Sequence, residues 1–400
     1  MSCHSCVTVS CGRHWHCTLA SSGRAGPPTR GGEGRESAYS TTAMTMTPGV
    51  RALVVGGGGA LGCLVASELA AWGAGRVAVG AALRDRSRVE AFPDVVRVTV
   101  TLTESDRDMA RAQGGAGTGA GNREHLVQKL LPGCGSHRDA PPGGITLLAT
   151  QDAALWPCDI ALLVTKHYDL RAAASALLAS GCRPKAVVSL ANGWGGASEL
   201  TRAGWDPHVV GSGVSYLGAL SERVGTVTKT GAGKTILQDS APVRQLISAV
   251  PGSSFETASS RDVDAAVWTK LLANAVINPA TALLDVPNGD VALQAHRPFV
   301  EAAVNEFVAA TAASSRELRI PHPFKSPLDF VLGVARATAA NTSSMRADVN
   351  AGRATEVDAV LGPVLALLPP SATPILTFFH AAVKARHGSA RRKALGVSRG

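Results

Sequence analysis

The stretch that most constrains this fold is Val54-Val55-Gly56-Gly57-Gly58-Gly59-Ala60-Leu61-Gly62. An apolar run enters a glycine-rich turn, and the turn opens a helically spaced stretch from Leu61 to Trp72. Gly57-x-Gly59-x-x-Gly62 has the spacing for a tight turn, for close approach of backbone to a pyrophosphate, and for close packing of helix on strand. The helix N-terminus adds N–H groups and the positive end of its dipole. After a strand, before a helix and at the start of the folded region, the pattern predicts a dinucleotide site. A glycine-rich turn without a ligand is the competing reading.

From Arg51 short apolar runs alternate with helical segments, which predicts a parallel α/β sheet. Strands are expected at 52–55, 76–80, 96–102, 159–164 and 186–190. An antiparallel pair, 209–220 with 225–237, is expected to close the sheet edge. From about Asp262 the chain reads almost entirely as helix. The fold class is therefore α/β, an N-terminal Rossmann-type dinucleotide-binding domain followed by an all-helical C-terminal domain. The expected boundaries are 50–250 for the first, with a glycine-rich insertion at about 104–144, and 251–383 for the second, the substrate and catalytic domain. The insertion offers no clear element beyond Glu124 to Leu131. Residues 1–49 read as a leader or disordered segment and 384–400 as a basic tail.

Four hundred residues exceed one compact core and suit two domains. The formal charge of +9 is partly an effect of the chain ends, where Arg13, Arg24, Arg30, Arg35, Lys384, Arg386, Arg391, Arg392, Lys393 and Arg399 collect. Without a nucleic-acid motif, this charge suits anionic small molecules rather than nucleic acid. No apolar run reaches the roughly 18 residues of a membrane span. Cys3, Cys6, Cys11 and Cys17 crowd the start, while Cys63, Cys134, Cys158 and Cys182 are scattered, the pattern of a reducing compartment. The early cysteines with His14 and His16 are too cramped for a zinc finger, so no metal is expected. The Arg-containing, acid-poor, Ser-rich leader resembles a transit peptide. Localisation is cytoplasmic on this reading, or plastid or mitochondrion if the leader is a transit peptide; a start at Met44 or Met46 is the alternative.

After the second strand comes Arg84-Asp85-Arg86-Ser87-Arg88. A carboxylate there binds the ribose hydroxyls of NADH, whereas an arginine accommodates the 2′-phosphate of NADPH. Three arginines against one aspartate favour NADPH, and Asp85 keeps NADH open. Gly231-Ala232-Gly233-Lys234-Thr235 mimics a P-loop and is rejected, because Thr228 stands where the first glycine belongs and no helix follows.

Lys270, Asn274 and Asn278 follow at four-residue spacing and share one face of an otherwise apolar helix. Such a lysine is costly to bury unless polar partners meet it. The bland alternative has Lys270 snorkelling to solvent and Asn278 ending the helix before Pro279. Further on, Thr342-Ser343-Ser344-Met345-Arg346-Ala347-Asp348 leads to Thr355-Glu356-Val357-Asp358. Either these hydroxyls cap helices, or Ser344 and Glu356 return to face Lys270 across a cleft.

Taken in order, these motifs resemble the ketopantoate reductases (2-dehydropantoate 2-reductases) from Arg51 to Gly362. The matches are the Gly57–Gly62 turn, Val164-Thr165-Lys166, Asn192-Gly193, the Lys270/Asn274/Asn278-Pro279 helix, and Ser343-Ser344-Met345 through Asp358. The resemblance implies NADPH-dependent reduction of ketopantoate to pantoate, in pantothenate and coenzyme A biosynthesis, with a C-terminal domain of the 6-phosphogluconate dehydrogenase-like type. It implies Lys270 as general acid and Glu356 as the carboxylate supporting that lysine and the substrate hydroxyl. Asn274, Asn278, Ser344 and Asn192 would bind substrate. Gly57, Gly59, Ala60, Leu61, Gly62, Arg84, Lys166, Asn192 and Glu356 would bind cofactor. The insertion and the basic tail have no family counterpart. Reduction of another small 2-oxo acid and non-catalytic redox sensing by NADP binding are the alternatives, and a homodimer is left open.

Overall fold

The computed structural model describes residues 49–73, 75–100, 121–130, 140, 142–231 and 233–394, all within one compact unit spanning 46–400. Residues 1–48 of the expected leader, with its cysteines, most of 104–144 and the last residues of the expected basic tail lie outside the described residues.

In chain order, β1 (Val50–Val55) passes through the glycine-rich turn into α1 (Ala60–Gly73), and β2 (Val77–Leu83), α2 (Arg86–Glu90), β3 (Val95–Val100), β4 (Gly121–Leu130) and β5 (Ile145–Ala149) follow. β6 (Ile160–Leu163) leads to α3 (His167–Ala179), and β7 (Ala186–Ser189) to α4 (Gly196–Arg202). Next come β8 (Val210–Ser215), β9 (Gly218–Arg223), β10 (Thr226–Gly231), β11 (Thr235–Gln238), α5 (Ala241–Ala249) and β12 (Phe255–Ala258). The remainder is helical: α6 (Ser260–Leu284), α7 (Arg297–Ala313), α8 (Pro327–Ala337), α9 (Ser344–Asn350), α10 (Val357–Leu365) and α11 (Pro374–Ala394).

The strands form one sheet in the order β12-β11-β8-β7-β6-β1-β2-β5-β4-β3-β10-β9. Its centre, β8 through β5, is parallel, and the interior strands are apolar at successive positions because both faces are covered. Only Tyr216 and Leu217 separate β8 from β9, yet the two lie near opposite ends of the order. The sheet therefore curls, and α1 runs through the concavity, buried continuously from Gly62 to Ala70. A largely apolar helix fits such a place, and its buried Ser67 and Glu68 meet polar partners there.

Several expectations need correction. The antiparallel pair is broken in two: β8 pairs with β11 and β9 with β10, because the hairpin bends at Tyr216, whose N–H still reaches the Lys234 carbonyl at 2.9 Å. The glycine-rich insertion contributes β4, between β5 and β3. Its pattern is inverted: Arg123 and His125 turn inward while Leu126 is 61% exposed, so hydrophobic alternation does not find it. The sheet also extends past residue 250, since β12 pairs with β11. The basic tail is not separate from Lys384 to Ala394, where α11 continues.

α6 does not end at Asn278. It runs on through the buried Pro279 to Leu284. Proline there forfeits one backbone bond, but packing of Val276, Ile277, Ala280 and Ala282 in the helical core outweighs the loss, each large aliphatic side chain contributing roughly 1.5–3 kcal/mol. The same core holds Trp268 and Phe307, with ring centroids 6.0 Å apart. Among the described residues no helix is long and apolar enough to cross a membrane.

Candidate active site

The C-terminal ends of β6 and β7 are neighbours in the parallel sheet, so Lys166 and Asn192, each just past its strand, come out side by side. Helices α6, α9 and α10 close over them. Lys270 descends from α6, Asp348 from α9, and Glu356 stands at the residue before α10. Asn192, Asn278, Ser344, Met345, Asp348, Glu356 and Val360 line the narrow cavity between sheet and helices.

Lys270 Nζ donates to Asn192 Oδ1 at 2.9 Å and to the Ser215 carbonyl at 2.5 Å. The snorkelling alternative is thereby excluded. Asn192 Nδ2 donates to Glu356 Oε2 at 3.4 Å. Glu356, 7% exposed, also accepts the His167 backbone N–H at 2.9 Å and Lys166 Nζ at 3.4 Å. That N–H opens α3, where the helix dipole favours an anion. Lys166 Nζ makes a shorter bond, 2.8 Å, to Asp348, which is held from its other side by Arg353 at 2.9 Å.

The two lysines respond in opposite ways. Burial pulls the Lys270 pKa down to about 8, and the charge of Glu356 offsets only part of this. Burial also works against the charge of Lys166, but Glu356 and Asp348 outweigh it and hold that pKa above the ordinary lysine value. Paired groups whose environments drive their pKa values apart mark which one moves a proton. Of the two, Lys270 holds its proton less tightly.

Of the other expected residues, Asn278 and Ser344 line the cavity and Asn274 does not. Asn274 is half-buried one turn from each of Lys270 and Asn278, with no side-chain hydrogen bond among the described residues. The capping reading of the serine cluster holds at Ser343. Ser343 caps α9 and meets Thr281 Oγ1 at 2.7 Å, while Ser344 faces the cavity. Gly193 has φ of +95°, and a Cβ there would lie 2.5 Å from the Ala359 carbonyl oxygen, so only glycine lets the Asn192 loop lie against α10. The next residue, Trp194, stacks on Trp268 at 5.1 Å with the Arg316 guanidinium 5.0 Å from its ring.

The glycine-rich turn fits a dinucleotide. A Cβ at Gly62 would lie 2.2 Å from the Gly56 carbonyl oxygen, and one at Gly57 2.7 Å from Ala81 Cβ, so α1, β1 and β2 meet only through glycine. At Gly59 the nearest atom would be 3.5 Å away, leaving that side of the turn open. Thr165 Oγ1, beside Gly56, is buried without a hydrogen-bond partner. An orphaned hydroxyl at the turn suits a polar ligand.

Past β2 the charge balance differs from the sequence count. Arg84 pairs with Asp169 at 2.9 Å, Arg86 with Asp152 at 2.6 Å, and Arg88 approaches Asp85 at 3.8 Å. Asp85 itself caps α2 through Arg88 N–H and the Ser87 hydroxyl. Three arginines thus stand against three aspartates.

Sequence reasoning missed Asp348, the His167 N–H, the Ser215 carbonyl and Thr165. Asp348 follows Ser344 by four residues on one face of α9, a spacing that could have found it. A backbone carbonyl leaves no side-chain signal.

Residues 136–242 match the family profile described as ketopantoate reductase PanE/ApbA, and residues 262–386 that described as its C terminal. A 2-dehydropantoate 2-reductase from Halobacterium salinarum is 32% identical over 257 residues, covering 60% of this chain and 80% of the relative. The Yersinia pestis 2-dehydropantoate 2-reductase is 32% identical, over 54% of this chain and 70% of the relative. Among solved structures, a PanE/ApbA family ketopantoate reductase from Ralstonia eutropha superposes with TM-score 0.61 at 19% identity, covering 85% of this chain and 99% of its own. A D-mandelate dehydrogenase solved with NADH and anilino(oxo)acetate gives TM-score 0.59 at 18% identity, with the same coverage, and shares the fold. By these matches, the chain belongs to the ketopantoate reductase family.

Proposed function

We propose that this chain catalyses NADPH-dependent reduction of 2-dehydropantoate to (R)-pantoate, as in pantothenate and coenzyme A biosynthesis. The observation that carries the proposal is the chain of hydrogen bonds from the buried Lys270 through Asn192 to Glu356, which Lys166 also meets. Residues 50–250 would serve the dinucleotide and 251–383 the substrate.

A bound nicotinamide dinucleotide supplies the hydride. Gly57 and Gly59, whose own N–H groups donate to the Ala82 and Gly56 carbonyls, would shape the turn, and Ala60, Leu61 and Gly62 at the start of α1 would hold the pyrophosphate through backbone N–H groups, with the Thr165 hydroxyl beside them. Arg84 would meet the 2′-phosphate, and Lys166, Asn192 and Glu356 would lie along the nicotinamide half.

An ammonium has three donors. Asn192 Oδ1 and the Ser215 carbonyl take two of those on Lys270, which leaves the third for the ketone oxygen. As negative charge develops on that oxygen, Lys270 first stabilises it and then transfers the proton. A pKa of about 8 suits this, since the group is mostly protonated near neutrality yet gives up its proton easily. Asn278 and Ser344, which line the cavity, would hold the substrate hydroxyl and carboxylate. Glu356, fixed by His167 N–H and Lys166, would accept from that hydroxyl and support the lysine through Asn192. Lys166, Lys270 and Arg353 face Asp348 and Glu356, leaving one positive charge for an anionic substrate.

The test is loss of reduced-nicotinamide absorbance with purified full-length protein, using 2-dehydropantoate and a panel of other 2-oxo acids. Saturable turnover with 2-dehydropantoate supports the proposal. Turnover confined to another 2-oxo acid would keep the chemistry and replace the substrate. Tight cofactor binding with no turnover would favour a redox-sensing role.

A further inference from the structure

The ion pair between Arg84 and Asp169 spans the dinucleotide crevice. Arg84 directly follows β2, and Asp169 lies in the first turn of α3, just past β6. In the sheet β1 runs between β2 and β6, so a bond joining those two loops passes over the C-terminal end of β1 and its glycine-rich turn. In a dinucleotide-binding fold the adenosine ribose lies there, and its 2′ position is where NADH and NADPH differ.

We propose that Asp169 is a specificity-determining residue, which neutralises Arg84 and makes the site accept NADH alongside NADPH. The inference rests on the reading above that this site binds a nicotinamide dinucleotide. A free arginine at the end of β2 is a 2′-phosphate receptor. One already bound to a carboxylate must release it, and the 2′-phosphate must then lie beside a like charge. The other two arginines do not relieve this, because Arg86 is held by the buried Asp152 and Arg88 lies beside Asp85.

The same geometry offers NADH what the sequence assigned to Asp85. Asp85 Oδ1 is taken by the Ser87 hydroxyl at 2.6 Å and the Arg88 N–H at 3.0 Å, which turns the carboxylate to the start of α2, and its Oδ2 lies 3.8 Å from Arg88 Nε. Asp169 is 39% exposed and meets Arg84 from the first turn of α3 across the crevice, where a carboxylate can accept both ribose hydroxyls. An exposed pair such as Arg84–Asp169 is weak, because solvent screens both charges. Arg84 can therefore leave it for a phosphate, and NADPH is penalised rather than excluded. A like charge at such a distance in solvent weakens binding by about five-fold, equivalent to roughly 1 kcal/mol.

The experiment uses the full chain and measures binding separately from turnover. Dissociation constants are determined calorimetrically for adenosine 2′,5′-bisphosphate and 5′-AMP, and by fluorescence for NADPH and NADH, in the parent, Asp169→Asn and Asp169→Glu. The parent is expected to bind NADPH and NADH within about ten-fold of each other. Asp169→Asn should tighten the two 2′-phosphorylated ligands by about five-fold without tightening 5′-AMP or NADH. Asp169→Glu keeps the charge and should keep the parent's preference, which separates charge from packing. A parent that discriminates by more than about a hundred-fold, or an Asp169→Asn protein with unchanged preference, overturns the inference and leaves the reductase reading intact. Failure of both dinucleotides to bind overturns both.

Discussion

Lys270 and Glu356 are joined through one amide: Lys270 donates to Asn192 Oδ1 at 2.9 Å, and Asn192 Nδ2 donates to Glu356 Oε2 at 3.4 Å. The bridge brings the carboxylate near enough to favour the ammonium without gripping its proton. Burial consequently wins at Lys270, whereas at Lys166, which both carboxylates touch directly, the charges win. One amide thus sets two neighbouring lysines in different electrostatic surroundings.

A pH profile follows from this arrangement. Lys270 donates only while protonated, so kcat/KM should fall as pH rises through about 8. Glu356→Gln removes the charge that supports the ammonium and should move that limb to lower pH. Lys270→Ala should abolish the limb and reduce kcat by about 10²–10⁴-fold. Rate profiles of the three proteins check this; a limb unmoved in Glu356→Gln would show that Lys270 does not sense the carboxylate.

Ser343 and Ser344 should separate stability from binding. The buried Ser343 hydroxyl accepts Arg346 N–H at 3.1 Å and meets Thr281 Oγ1 at 2.7 Å. Ser343→Ala loses this cap and should cost about 1–2 kcal/mol in denaturant unfolding. Ser344 is exposed apart from its edge on the cavity, so Ser344→Ala should leave the unfolding midpoint in place and raise KM. Equal effects of the two substitutions on stability would reject the assignment of Ser344 to substrate.

What the sequence made legible and what it hid differ by range. The glycine-rich turn and the Lys270 face of α6 are local patterns, set by turn sterics and the helical repeat, and both appear where their spacing puts them. Asp169 and Asp152 acquire meaning only by meeting arginines 85 and 66 residues away, and no local pattern records such pairs. β4 was hidden for another reason. Arg123 and His125 face inward to polar partners on α1, so the periodicity that marks a strand carries the wrong polarity. The helix through Pro279 shows tertiary packing overriding a local stop signal.

Gly62 should be the least replaceable residue of the turn. A methyl group there would sit 2.2 Å from the Gly56 carbonyl oxygen and 2.9 Å from Gly57 Cα, both backbone atoms that cannot rotate away. Gly62→Ala must push α1 off β1 and distort the N–H groups offered to a pyrophosphate. Gly59→Ala meets nothing nearer than 3.5 Å within the protein, so it should fold normally and hinder only the ligand. The expected outcome is lowered stability for Gly62→Ala, and parent stability with weakened dinucleotide binding for Gly59→Ala. Thermal unfolding combined with NADH and NADPH titration reads both. Unweakened binding in Gly59→Ala would remove the turn from the cofactor site.

Glu68 tests how the curled sheet is held on α1. Its carboxylate, 3% exposed, receives Arg123 from β4 at 3.1 Å, Lys229 from β10 at 3.2 Å and the Trp72 indole N–H at 3.2 Å. One anion thus ties two strands of the sheet to the helix they enclose. Lys229 is 5% exposed, so Glu68→Gln strands a buried cation, a loss worth about 3–5 kcal/mol. Lys229→Met should cost less, because Glu68 keeps Arg123 and Trp72. Adding Lys229→Met to Glu68→Gln should recover part of the Glu68→Gln loss, since the stranded charge is then gone. Urea unfolding of the four proteins closes the cycle. Strictly additive losses would mean that the pair does not couple and that apolar packing alone keeps the sheet around α1.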